Sequence, residues 1–207
     1  MDVRKIAADE QTVFIVDDEG TLRDSLGFLL ESIRLRTESF DSAEAFLVKY
    51  TPDRAGCLVL DVRMPGLSGL DLMEQLNRVG ASIPIIFLSA HGDVPLTVRA
   101  MKGGAFDFLQ KPCNNQDFLD RVRQALALDR SRRSERQRSD SYSTRLAALT
   151  LRERQILDRV VDGQSNKLIA RELGISHKTV EAHRGRLMRK MDAASFAELL
   201  QQVLAQG

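Results

Sequence analysis

The chain has 207 residues, 43% hydrophobic and 29% charged, an ordinary globular composition that excludes disorder as the main state and admits one large domain or two small ones. No apolar run approaches the ~18 residues of a membrane span, residues 1–5 lack the apolar stretch of a secretory signal, and Cys57 and Cys113 form no C-x-x-C pair, so membrane insertion, secretion, a disulfide scaffold and a zinc site are not expected and the chain is expected in the cytoplasm. The near-neutral total hides an asymmetry: residues 1–125 carry 14 Lys and Arg against 19 Asp and Glu, and residues 126–207 carry 16 against 10, so an acidic front and a basic back with different partners are expected.

In chain order, 12–16, 57–60 and 83–88 are continuous apolar runs. Strands so uniformly apolar are buried on both faces, as in a parallel sheet. Residues 36–40 and 105–109 are weaker strands. Between them lie amphipathic helices at 21–33, 42–48, 70–79, 94–101 and 117–128. The alternation predicts a doubly wound (βα)₅ domain, a five-stranded parallel sheet of flavodoxin-like order 2-1-3-4-5. Residues 127–145 are a basic run with almost nothing apolar and neither Pro nor Gly. They are expected to form a linker, either disordered or a solvated helical extension. The domains are then expected at 1–126 and 146–207.

From Leu146 the periodicity is purely helical. Thr150 and Glu153 have the spacing of a capping box. Asp162-Gly163 ends that helix, and Ser165 and Ser176 are placed to cap two more. A fourth helix follows from about residue 194, giving an all-α four-helix domain. His177 and His183 are six apart and share no helix face, which argues against a metal site.

The strand ends carry the chemistry. The first strand ends in Asp17-Asp18, the third in Asp61, the fourth in Ser89 and the fifth near Lys111. Sites in open parallel sheets form at the carboxyl ends of strands. Gathered carboxylates raise one another's pKa, a divalent cation relieves that, and hard oxygen ligands suit Mg²⁺. With a lysine and a hydroxyl beside them, the arrangement suits phosphoryl transfer to a carboxylate nucleophile.

These motifs, Val16-Asp17-Asp18-Glu19, Leu60-Asp61-Val62-Arg63-Met64-Pro65-Gly66, Ser89-Ala90 and Phe108-Leu109-Gln110-Lys111-Pro112, make the first ~125 residues resemble the receiver domain of two-component response regulators. The resemblance implies that Asp61 accepts a phosphoryl group from a sensor histidine kinase. It implies Mg²⁺ (or Mn²⁺) on Asp18, Asp61 and the Arg63 carbonyl, with Asp17 acting through water. Ser89 and Lys111 would contact phosphoryl oxygens, Phe108 would be the switch aromatic, where many relatives have Tyr, and Lys111-Pro112 would be cis. His91-Gly92-Asp93-Val94-Pro95 is similar to the FixJ-type receivers, and the long basic linker resembles that of regulators of aromatic-hydrocarbon catabolism, styrene-responsive ones included.

The second half, through Leu149-Thr150-Leu151-Arg152-Glu153-Arg154, Gly163-Gln164-Ser165-Asn166-Lys167 and Gly174-Ile175-Ser176-His177-Lys178-Thr179-Val180-Glu181, resembles the LuxR/NarL-type helix-turn-helix. The family often has Pro where Leu151 stands. At 100° per residue Val180, Leu187 and Met191 share the inward face of the third helix. Lys178, Ala182, Gly185, Arg186 and Arg189 point outward, with Glu181 at the edge and Arg184 on a shoulder. Small residues at Ala182 and Gly185 would admit the helix to the major groove. Lys178, Arg186 and Arg189 would neutralise phosphates and Glu181 would accept from a cytosine amino group. Thr179, Arg184, Asn166 and Lys167 complete the expected contacts.

The reading is a transcription regulator. Phosphorylation would drive homodimers that bind a two-half-site DNA operator and act on RNA polymerase. Two alternatives stand beside it. One is a regulator whose N-terminal domain only dimerises. The other is an aspartyl-phosphate phosphohydrolase, which needs a second Asp two residues after the nucleophile, where this chain has Arg63.

Overall fold

The strands β1 (Thr12–Val16), β3 (Gly56–Leu60) and β4 (Ile85–Ser89) are buried along their whole length, because helices cover both faces of the sheet they form. The computed structural model describes residues 11–90 and 94–204. The residue 1–5 and His91-Gly92-Asp93 readings lie outside the described residues. The chain divides into two compact units between Arg133 and Ser134.

In the first unit, β2 (Arg36–Phe40) and β5 (Asp107–Gln110) complete a parallel sheet of order β2-β1-β3-β4-β5, the order expected. Pairing runs Val16 to Leu60 and Phe40, and Leu60 to Phe87, so β1, β2 and β3 end level at one edge and β4 runs two residues further, to Ser89. The strand expected from residue 83 begins at Ile85. Pro84 cannot donate to the ladder, although its carbonyl accepts the Leu58 N–H at 2.9 Å.

Alternation of side chains sends Phe14, Val16, Leu58, Leu60 and Phe87 to one face. There α2 (Ala43–Lys49) and α3 (Gly69–Arg78) bring Phe46, Leu72, Met73 and Leu76, and α4 (Val94–Lys102) brings Ala100. Val13, Ile15, Val59, Ile86 and Leu88 face the other way. They pack on Leu26 and Leu30 of α1 (Gly20–Ser32) and on Phe118, Leu119, Val122 and Leu126 of α5. Ser42 and Ser68 cap α2 and α3.

Helix α5 (Asn115–Ala147) is continuous over 33 residues. Neither Pro nor Gly interrupts it. Asp129, inside the basic run, is fully buried. Its carboxylate accepts the Gly56 N–H at 2.8 Å, the Gln11 amide at 3.2 Å and Arg133 Nε at 2.9 Å. Arg133 in turn donates to the carbonyls of Asp53 (2.8 Å) and Arg54. Every lone pair so used offsets the cost of burying the charge, and α5 is held against the base of β1 and β3 as far as residue 133.

The second unit has its own core: Ile156, Leu157 and Val160 of α6 (Leu151–Val161), Ile169 and Ala170 of α7 (Asn166–Leu173), Val180 and Leu187 of α8 (His177–Lys190), Met191 after it, and Leu199 of α9 (Phe196–Leu204). Thr150 and Glu153 form the capping box, and Ser165 and Ser176 cap α7 and α8.

Helices α1, α3, α4, α6, α7 and α8 end alike. An N–H reaches back five residues, Leu35 to Leu30, Ala81 to Leu76, Ala105 to Ala100, Gln164 to Arg159, Ile175 to Ala170 and Ala193 to Met188. The residue before it takes the left-handed conformation. Gly80, Gly104, Gly163 and Gly174 fill that position in four of them, Asp192 (φ 51°) after α8 and Arg34 (φ 62°) after α1. A side chain there costs roughly 1–2 kcal/mol.

Candidate functional site

Asp17 and Asp61 are the first residues beyond β1 and β3. The Asp61 N–H donates to the Val16 carbonyl at 2.9 Å, so the ladder itself fixes the two carboxylates side by side. Lys111 follows β5, and its N–H donates to the Ser89 carbonyl at 2.9 Å. Its ammonium donates to Asp17 Oδ2 at 2.6 Å and lies 3.3 Å from Asp61 Oδ1. The other oxygens accept backbone N–H groups: Asp17 Oδ1 from Glu19 at 2.9 Å and Asp61 Oδ2 from Arg63 at 3.0 Å. Both carboxylates and Ser89 are buried, whereas Asp18 is exposed.

Burial pushes the Asp61 carboxyl above its ordinary range. Lys111 pulls it back in part and Asp17 adds to the rise. Burial alone would lower the Lys111 ammonium, but the hydrogen bond and charge of Asp17, with those of Asp61, carry it above its usual value. Two buried carboxylates thus face one ammonium, and exposed Asp18 follows Asp17 in the chain. That excess of hard anionic oxygen fits Mg²⁺ or Mn²⁺, although among the described residues no three acids are already gathered into a ligand cluster. Phe108 is half-buried against Phe87, ring centres 6.2 Å apart. Lys111-Pro112 is cis.

Gly69 belongs to this site by shape. A Cβ there would fall 2.1 Å from the Asp61 carbonyl oxygen, so only glycine lets α3 start this close to the end of β3.

In the second unit α8 turns Val180 and Leu187 inward, as the periodicity requires, and Lys178, Glu181, Ala182, Arg186 and Arg189 outward. Lys167 is exposed on α7, and Gly185 is half-exposed. Other expected contacts are engaged within the unit. Arg184 donates to Asn166 Oδ1 at 2.7 Å and stacks near the Phe196 ring. The Thr179 hydroxyl meets the Ser176 cap at 2.7 Å. Arg186 lies 3.0 Å from His183 Nδ1 and 3.8 Å from Glu153. Glu181 lies 3.6 Å from His177.

Glu153 also holds Lys190 at 2.8 Å. That hydrogen bond, with those of Thr150, lowers its carboxyl to about 2 although burial opposes the shift. The capping motif located Glu153, but nothing local pointed to Lys190, 37 residues on. Asp129 and Gly69 carried no signal of their roles.

A sheet edge with a buried, lysine-held pair of carboxylates, in one chain with a helix-turn-helix of basic exposed face, defines a two-component response regulator that acts on DNA. Residues 13–123 match the response regulator receiver domain and residues 147–203 the bacterial regulatory proteins of the luxR family, and the chain belongs to the response regulators that combine the two. It is 51% identical over 193 residues to the transcriptional regulatory protein TdiR of Thauera aromatica, covering 93% of this chain and 85% of that one. It is 45% identical over 195 residues to the transcriptional regulatory protein FixJ of Azorhizobium caulinodans (94% and 92%). Among solved structures it is similar to the response regulator StyR, with a TM-score of 0.88 at 46% identity over 94% of this chain and 98% of that one. The protein is therefore a transcriptional regulator rather than a phosphohydrolase. No helix among the described residues is long and apolar enough to cross a membrane.

Proposed function

We propose that Asp61 accepts a phosphoryl group from a sensor histidine kinase and that the modified first unit drives dimerisation and operator binding by the second. The observation that carries this reading is the Asp61 carboxylate, buried at the end of β3 and held between the Arg63 N–H and the one ammonium that also grips Asp17. In the transfer the P–N bond of phosphohistidine breaks, an Asp61 oxygen forms the new P–O bond, and the kinase histidine leaves as neutral imidazole, its ring nitrogen taking up a proton from solvent. The Lys111 ammonium is within reach of the added oxygens and offsets their charge. Ser89 at the end of β4 supplies a hydroxyl, and its movement with Phe108 would bias residues 94–122 between two states. Asp17, Asp18, Asp61 and the Arg63 carbonyl would hold the Mg²⁺ that receiver domains generally bind. That ion supplies positive charge to phosphoryl oxygens and supports both phosphorylation and the later hydrolysis of the aspartyl phosphate.

Lys178, Glu181, Ala182, Gly185, Arg186 and Arg189 form the face offered to the major groove, with Lys167 on the backbone. Thr179 and the Arg184–Asn166 pair hold the face in shape and meet the backbone from its rim. The phosphorylated dimer would recruit RNA polymerase in the cytoplasm.

The test is mass in solution by light scattering, in Mg²⁺ alone and in Mg²⁺ with beryllofluoride, for the wild type and Asp61→Ala. A doubling of mass that Asp61→Ala abolishes is expected. An unchanged mass in every sample would overturn phosphorylation-driven dimerisation and favour the regulator whose first unit acts without it.

A further inference from the structure

We propose, resting on Asp61 as the phosphoacceptor, that the cleft beside Lys111 receives the organic half of a small phosphodonor, and that the chain takes acyl phosphates with an apolar acyl group in preference to acetyl phosphate. The cleft has a volume of about 490 Å³, within the range of small-molecule sites. It opens on the α1 face of the sheet, and Leu22, Leu26, Leu29, Leu88 and Cys113 line it. All five belong to the core of that face or pack against it. Leu22, Leu29 and Cys113 are only half-buried, so they leave apolar surface open in the cleft. Burial pushes the Cys113 thiol up, and it lines the cleft as a neutral group.

Lys111 also lines the cleft, and this one residue joins it to the acid site. Its ammonium is held by Asp17 at 2.6 Å and lies 3.3 Å from Asp61. It is the one cation among the described lining residues, and exposed Glu19 is the one carboxylate. An anionic organic group would find no free cation there, and a cationic one would share the cleft with Lys111. The occupant that fits is uncharged and apolar. The product at Asp61 is itself an acyl phosphate, so a donor of the same class exchanges like bonds. The P–O bond to the donor's acyl oxygen breaks, the P–O bond to an Asp61 oxygen forms, and the donor leaves as its carboxylate with no proton moved. With the phosphoryl group at Lys111, the apolar cleft is the adjoining surface for the acyl group. A propyl or phenyl group leaves water for leucine side chains there, and the methyl of acetyl phosphate has little to bury.

The experiment follows phosphorylation of the full chain in Mg²⁺ by intact mass. The donors are phosphoramidate, acetyl phosphate, butyryl phosphate and benzoyl phosphate, and Asp61→Asn is the control. Phosphoramidate has no organic half, so it reports Asp61 alone. Acetate and butyrate are equally good leaving groups, so their comparison isolates the acyl chain. The second-order rate constant is expected to rise roughly fivefold or more from acetyl to butyryl phosphate, less than full burial of the added methylenes would give, and to stay high for benzoyl phosphate. Leu22→Gln and Leu29→Gln, each at a half-buried wall position, are expected to bring the butyryl-to-acetyl ratio close to one. A ratio taken within one variant is not moved by a general loss of fold or of Asp61 reactivity. Labelling by phosphoramidate with equal rates for acetyl and butyryl phosphate, or a butyryl advantage that survives both substitutions, overturns the subsite and leaves Asp61 as the acceptor. Labelling of the wild type by no donor, or of Asp61→Asn as readily as of the wild type, overturns the acceptor reading and the subsite with it.

Discussion

Asp61 and Glu153 are both buried carboxylates that meet a lysine, and their surroundings push them in opposite directions. For Asp61 burial wins, and the carboxyl sits above the ordinary 3.8. The folded state then binds this proton more readily than the unfolded chain. The ionised group costs stability at neutral pH, and the cost disappears as the pH falls through the raised value. Asp61→Asn is therefore expected to raise the unfolding midpoint at pH 7 by about 2–4 °C in scanning calorimetry. Phosphorylation of the wild type by acetyl phosphate should fail on acidification at a higher pH than an ordinary aspartate would give. For Glu153 the Lys190 hydrogen bond wins and the carboxyl lies at about 2, against 4.5 for a free glutamate. Its contribution is complete above about pH 4.5 and is lost as the pH falls toward 2. Glu153→Gln should cost about 1–3 kcal/mol in urea unfolding at pH 7, the size of a charge-assisted hydrogen bond, and the gap to the wild type should close in acid.

At the level of elements, legibility in the sequence followed locality. The caps at Thr150, Ser165 and Ser176 are set by neighbours three residues away, and each forms where its spacing placed it. The apolar runs placed β1, β3 and β4 because burial on both faces leaves no choice of residue type. The strand-end acids could be found because every parallel strand of a doubly wound sheet delivers its last residue to one edge. Asp129 was opaque for the opposite reason. It sits in a run of arginines, and its partners Gly56 and Gln11 lie 73 and 118 residues away. Arg184, on the shoulder of its helix, and Asn166, at the start of the one before, also bond to each other, a tie that helical phase does not reveal because it fixes a direction but not a partner 18 residues off. Two substitutions probe such long-range ties. Asp129→Ala should cost about 3–5 kcal/mol in denaturant unfolding, since it strands the Gly56 N–H and Arg133 together. Amide exchange in residues 126–133 should accelerate with it. Gly69→Ala should reduce phosphorylation of Asp61 by acetyl phosphate without touching the carboxylate, because α3 must move away from the Asp61 carbonyl to admit the methyl group.

The whole molecule joins two separately cored units through one helix, and the charge asymmetry that first suggested two partners now has an address. The acids of the front include those around Asp61, and the bases of the back include the exposed face of α8 and the arginines of α5. The class of molecule is legible in the sequence because both halves carry short-range patterns. Residues 127–145 have the composition of a linker, and composition does not distinguish a buried Asp129 from a solvated one. Beyond residue 133 the same helix has a different character. Residues 134–141 bury no side chain, so that stretch is held by little more than intrinsic helix propensity, which is marginal in water. Local opening is therefore least costly there, and the stretch includes Arg136 and Arg138, both exposed. Under brief digestion trypsin should cut first after these two residues, long before it reaches Arg133, held at Asp129, or the arginines of the second unit, and release two protease-resistant fragments whose masses report the join between the units.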